Sequence, residues 1–198
     1  LALHVFGPLG MKSTMYRPPE WMRQRIAPTE RDPWRGRLVY GEVHDENSLA
    51  LGGVAGHAGL FSTGHDLAIF AQMYLNGGVY DSVRIVSQAA VDAFTQVQDS
   101  AFSNRALGWE VPSGTNSAGH LLSKHAFGHT GFTGTSIWMD PDRNLFVVLL
   151  TNRVDPSRES RGISAVRSGL ADAVAEAQDA SMGRGAVAAR AARGGGSR

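Results

Sequence analysis

The chain has 198 residues, 42% of them hydrophobic and 19% charged, which describes a globular protein long enough for a core of its own. A net charge of +1 gives no field to steer nucleic acid despite 17 arginines, and zero cysteine rules out disulfides and thiolate chemistry while leaving the compartment open. The longest aliphatic run, Val147 to Leu150 after Phe146, is strand length and cannot cross a bilayer.

Leu1 to Phe6 lacks an initiator Met and a basic start, is too short for a signal peptide, and reads as the end of a helix. From Met15 to Arg37 the prolines Pro18, Pro19, Pro28 and Pro33 break helix and ladder alike. This predicts a surface excursion with at most one short helix around Trp21 to Gln24, pinned down by Trp21 and Trp34. Leu38 to Tyr40 follows as a short strand, and the glycine-rich stretch Leu51 to Gly59 cannot hold a helix.

His44, Asp45, Glu46, His57, His65 and Asp66 are all ligand types within a short span. They lack the helical His pair of His-Glu-x-x-His and any finger-like pairing, so no metal is assigned. Thr63-Gly64-His65-Asp66 instead has the form of a capping box before a helix from Leu67 to Asn76. On that helix Leu67, Phe70, Ala71 and Tyr74 repeat at core spacing. Ser87 reads as the N-cap of a second amphipathic helix, Gln88 to Gln98.

Leu107 to Val111 reads as a strand, Pro112 to Leu122 as a loop, and Thr135 to Asp140 with Leu145 to Asn152 as a hairpin turning at Pro141 to Asn144. Ile137 and Met139 alternate with Ser136 and Trp138, which suits an antiparallel sheet with helices packed on its faces, an α+β class. A last helix, Glu159 to Ala177, carries Ile163, Val166, Leu170 and Val174 at core spacing. Beyond Asp179 the composition of Arg, Gly and Ala predicts a disordered, solvated tail, residues 179–198, without aromatics to bind nucleic acid.

The sequence points for chemistry to Phe127 to Gly134, a small-residue segment flowing into a strand, where His129 alone can do acid/base or anion-binding work. Its His129-Thr130-Gly131 triplet resembles the third motif of the serine β-lactamase and penicillin-binding-protein superfamily, usually Lys-Thr-Gly, in the His form of esterase and D-aminopeptidase branches. Gly7-Pro8-Leu9-Gly10-Met11 resembles the segment that closes the helix after that superfamily's second motif. Val43 to Phe70 resembles the Val-His-Asp-Glu-Asn and Gly-Gly-Val-Ala-Gly-His-Ala-Gly-Leu-Phe-Ser-Thr pattern of one branch, which places His57 and Gly59 on the floor beside the site.

The resemblance covers about residues 1–178 and implies the C-terminal part of a β-lactamase-like, class C-like fold. The first motif, Ser-x-x-Lys, is absent: the only lysines are Lys12 and Lys124, and Leu9 and Leu121 stand three positions before them. Tyr74-Leu75-Asn76 matches the second motif only formally, because Tyr74 belongs to a helix core face. The expectation is therefore a chain lacking the nucleophile, inactive alone, whose partner is the missing N-terminal half of the same domain.

In the complete enzyme the resemblance implies a serine acyl-enzyme, with no cofactor, acting on a small ester, peptide or lactam. It implies the backbone N–H of Phe132 as an oxyanion donor, His129 orienting substrate, and Thr130 and Gly131 binding it. Lysine is a fixed cation, whereas a histidine titrates near about 6.5, so the His form tilts the expectation toward esters or peptides over antibiotics. The family's habit would put such a protein in a bacterial envelope or outside the cell. The other reading is a non-catalytic binding module of the same fold, using the triplet as a ligand groove.

Overall fold

The computed structural model describes residues 1–103 and 105–194. In chain order, a π-helical turn at Ala2–Phe6 leads to β1 (Met15–Tyr16), a 3-10 helix (Glu20–Arg25), β2 (Arg31–Asp32), β3 (Arg37–Leu38) and α1 (Glu46–Ala50). There follow β4 (Leu60–Phe61), α2 (Gly64–Leu75), β5 (Val79–Tyr80), β6 (Val83–Arg84) and α3 (Gln88–Thr95). The chain then forms β7 (Phe127–Thr130), β8 (Ser136–Asp140), β9 (Leu145–Leu149) and α4 (Ile163–Gly194).

The organising unit is the three-stranded antiparallel sheet β7-β8-β9, with Gly128 opposite Trp138 and Trp138 opposite Val147. Its strands alternate as period-two patterning requires. Phe127 and Met139, with Ile137 and Phe146, pack against Ala71, Tyr74 and Leu75 of α2. On the opposite face Trp138 packs with Ala118, Leu122 and Ala126 against Ala171 and Ala175 of α4. A third cluster joins Phe6, Leu9 and Met11 to Ile69 and Met73, so the N-terminal turn is held on the far side of α2.

The helix starts follow the capping chemistry read from the sequence. Thr63 Oγ1 accepts from Asp66 N and Ser87 Oγ accepts from Ala90 N. Asp66 does not complete the box; its carboxylate turns to Ser13 N and Thr14 Oγ1, each at 2.8 Å, and ties β1 to α2. Tyr74 meets Phe70, Trp109 and Phe127 as a core aromatic, and burial pushes its phenol up.

Four expectations need correction. Trp21 and Trp34 do not pin the excursion, being 73% and 66% exposed; it is held through Met22, Val39 and the buried carboxylates of Glu30 and Asp32. Leu107 to Val111 is no continuous strand, because Gly108 takes φ 84°, and only Glu110 pairs, bonding reciprocally with Gly128. On α4 the buried positions are Arg167, Ala171 and Ala175, while Val166 is 54% exposed. The Trp138 indole fills the space above the sheet, so small side chains must face it. Finally, α4 runs on through Gly194, into the stretch for which composition predicts a disordered tail. Alanine, dense there, is the strongest helix former. The last four residues of that tail, 195–198, lie outside the described residues.

Candidate functional site

Residues 127–135 begin as β7 and end as a tight loop into β8. Gly128 is obligatory at its position, because a Cβ would stand 2.4 Å from both Ile137 O and the Trp138 ring. That close approach seats His129 at the exposed end of the strand, next to half-buried Thr130 and Gly131. The outer edge of β7 is occupied by Glu110 at Gly128.

His129 is engaged at both ring nitrogens. Arg105 Nη2 donates to Nε2 at 2.9 Å, and Nδ1 donates to Thr130 O at 2.8 Å. This pairing assigns the neutral tautomer with its proton on Nδ1. Arg105 also pairs with Glu110 at 3.3 Å, and Thr130 Oγ1 donates to the same carboxylate at 3.4 Å. A fixed cation therefore stands beside the imidazole. Nothing in the local sequence pattern points to Arg105, which is 24 residues upstream of His129 and reaches it only through the irregular chain around Glu110.

Phe132 is 58% exposed, and its N–H has no acceptor among the described residues. Its ring stacks on His44 at 5.8 Å and lies under the Arg153 guanidinium at 4.4 Å. Beneath it is a polar unit that sequence reasoning missed. Glu30, 1% exposed, is met by His44 Nε2 at 2.6 Å and by Arg158 through Nε at 2.9 Å and Nη2 at 2.7 Å. Arg158 also reaches Glu46 at 3.0 Å. The Arg158 bonds, with His44 second among the favourable contacts, hold the Glu30 carboxyl at about 2 against the opposing effect of burial.

The structure thus brings the His44-Asp45-Glu46 segment and the triplet loop together through Phe132. His57 lies further out, exposed and bonded to Asp45 at 2.9 Å, and Gly59 packs under Gly53 and Tyr16. Among the described residues no three His, Cys, Asp or Glu side chains converge as metal ligands. Among the described residues no helix is long and apolar enough to cross a membrane.

Residues 2–171 match the family model described as Beta-lactamase. A Salmonella paratyphi B protein provisionally named D-alanyl-D-alanine carboxypeptidase is 39% identical over 168 residues, covering 75% of this chain and 38% of its own length. The chain thus spans well under half the length of the curated relatives it matches. A β-lactamase from Mycobacterium bovis superposes with a TM-score of 0.57 at 22% identity, over 89% of this chain and 54% of its own. A penicillin-binding-protein homologue from Caulobacter crescentus does so at 0.58 and 17% identity, over 86% and 50%. These two likenesses establish a shared fold. With the family model matched across most of its length, the chain belongs to the Beta-lactamase family.

Proposed function

We propose that this chain builds the substrate-side wall of a serine acyl hydrolase whose Ser-x-x-Lys nucleophile is supplied by residues outside it, and that its substrate is a D-amino-peptide ending in a free carboxylate. One observation carries the reading: Arg105 stands 2.9 Å from His129 on the exposed end of β7, so the triplet that lacks a lysine has a fixed cation beside it. That narrows the expectation of esters or peptides to a peptide bearing a carboxylate, since a guanidinium binds one with paired, charge-assisted hydrogen bonds. The name of the 39% identical Salmonella relative agrees with such a substrate.

In the proposed mechanism the serine oxygen attacks the scissile carbonyl, and its proton passes to the neighbouring base. The tetrahedral oxyanion accepts a hydrogen bond from Phe132 N–H, with a second donor from the nucleophile's own segment. The C–N bond breaks as the leaving amine takes the proton, and water then hydrolyses the acyl-enzyme. His129 and Thr130 orient the terminal residue, and Arg105 neutralises its carboxylate.

The test compares this chain with a protein joining it to a Ser-x-x-Lys-bearing segment of the family. The chain alone should neither turn over a D-alanyl-D-alanine peptide nor take a fluorophosphonate label, and the joined protein should do both. Labelling of the chain alone, abolished by mutating one of its own serines, overturns the reading. So does a joined protein that labels but never cleaves the peptide.

A further inference from the structure

Every carbonyl from Gly131 to Thr135 is held by a donor. Arg167 Nη2 donates to Gly131 O and to Thr135 O, each at 2.7 Å. Arg153 Nε donates to Phe132 O at 2.7 Å, its own N–H reaches Thr133 O at 2.8 Å, and Thr151 Oγ1 holds Gly134 O at 2.7 Å. The N–H groups of Phe132 and Thr133 have no acceptor among the described residues.

A trans peptide is planar, with its N–H and C=O pointing opposite ways. The Phe132 N–H shares its peptide with the Gly131 carbonyl, which Arg167 grips. The Thr133 N–H shares its peptide with the Phe132 carbonyl, which Arg153 grips. Fixing each carbonyl fixes the amide on the far side, and a cation on the oxygen polarises the peptide so that its N–H donates more strongly.

Arg167 is only 8% exposed, yet it makes no ion pair among the described residues, and its Nε has no partner. A buried guanidinium without a carboxylate is costly to keep, and in packing terms an alanine would continue the Ala171, Ala175 face. Burial, with Arg153 second, lowers its pKa against the weaker pull of the Glu110 carboxylate, which it does not contact.

We infer that Arg167 and Arg153 are positioning residues for the anion-binding amides of Phe132 and Thr133, each acting through the peptide whose carbonyl it holds. This deepens the acyl-hydrolase reading and rests on it for its catalytic consequence. Both Arg167 bonds come from a single nitrogen, so an ammonium can replace them, whereas a thioether cannot.

In the joined protein, Arg167→Met should lower kcat by about 10- to 100-fold, approaching the loss of an oxyanion donor, with KM held within about threefold. Arg167→Lys should recover most of that loss. Arg153→Met, at a less buried site, repeats the kcat-selective loss if Arg167→Met folds poorly. An Arg167→Met protein that folds with unchanged kcat, or whose defect is all in KM, overturns the inference. An inactive wild type would sink the acyl-hydrolase reading instead. The clamp is then decided in this 198-residue chain by amide NMR. Arg167→Met should move the Phe132 amide proton upfield and Arg153→Met that of Thr133; unmoved signals refute it.

Discussion

Glu30 and Arg158, 128 residues apart in sequence, meet as a two-pronged ion pair at 2.9 and 2.7 Å directly beneath the Phe132 loop. The pair, with His44 on the same carboxylate, fastens the proline-rich excursion to the segment following β9. Its stability carries a pH signature. Glu30 titrates at about 2 in the fold, below the ordinary 4.5, so its contribution is complete above the ordinary value and is lost as pH falls toward about 2. The melting temperature of wild type should drop across that acid window more steeply than that of Glu30→Gln. At neutral pH the variant should lose about 3 kcal/mol, the low end for a broken buried pair because Arg158 stays partly in water. Thermal melts at a series of pH values check the first, and denaturant melts at neutral pH the second.

Asp66, 3% exposed, accepts from Ser13 N and Thr14 Oγ1. Asp66→Ala should cost about 1–3 kcal/mol, because the buried Thr14 hydroxyl and the Ser13 amide lose their acceptor. Asp66→Asn should retain part of that stability, since its carbonyl can still accept. Thermal melting of the two variants side by side measures the difference.

Gly128→Ala drives a methyl into the Ile137 carbonyl and the Trp138 ring, both at 2.4 Å, and Trp138 has no room to yield at 2% exposure. The β7–β8 pairing must open, at a cost of at least about 1–3 kcal/mol. Increased tryptophan fluorescence quenching by acrylamide, together with a lowered melting temperature, is the expected result.

Arg105 and His129 should separate kinetically in the joined protein. Arg105→Ala should raise KM about tenfold for peptides ending in a free carboxylate and leave C-terminally amidated peptides nearly unchanged, as loss of one charge-assisted contact requires. His129→Ala should impair both substrates, because its imidazole orients the chain as well as the charge. Equal effects of Arg105→Ala on both substrates would remove the carboxylate from the proposed function.

What the sequence by itself determined was local or motif-borne. Thr63 and Ser87 announced their helices because a capping oxygen and an apolar repeat lie within one turn. Ile137, Met139 and Trp138 announced a two-faced sheet by alternation, and His129-Thr130-Gly131 with Val43 to Phe70 carried the family. Tertiary structure decided what depends on chains meeting from far apart. No spacing predicts that Arg105 comes to His129, that Arg158 closes on Glu30, or that Arg167 turns inward while Val166 faces water. Long charged side chains read as surface in any local pattern; only the converging backbone carbonyls make the burial of Arg167 tolerable, and only half-exposed Arg158 makes that of Glu30 so. The Trp138 indole likewise selects alanines on α4 in place of the larger apolar residues, because a close-packed interior conserves volume across the contact and not hydrophobicity along one helix.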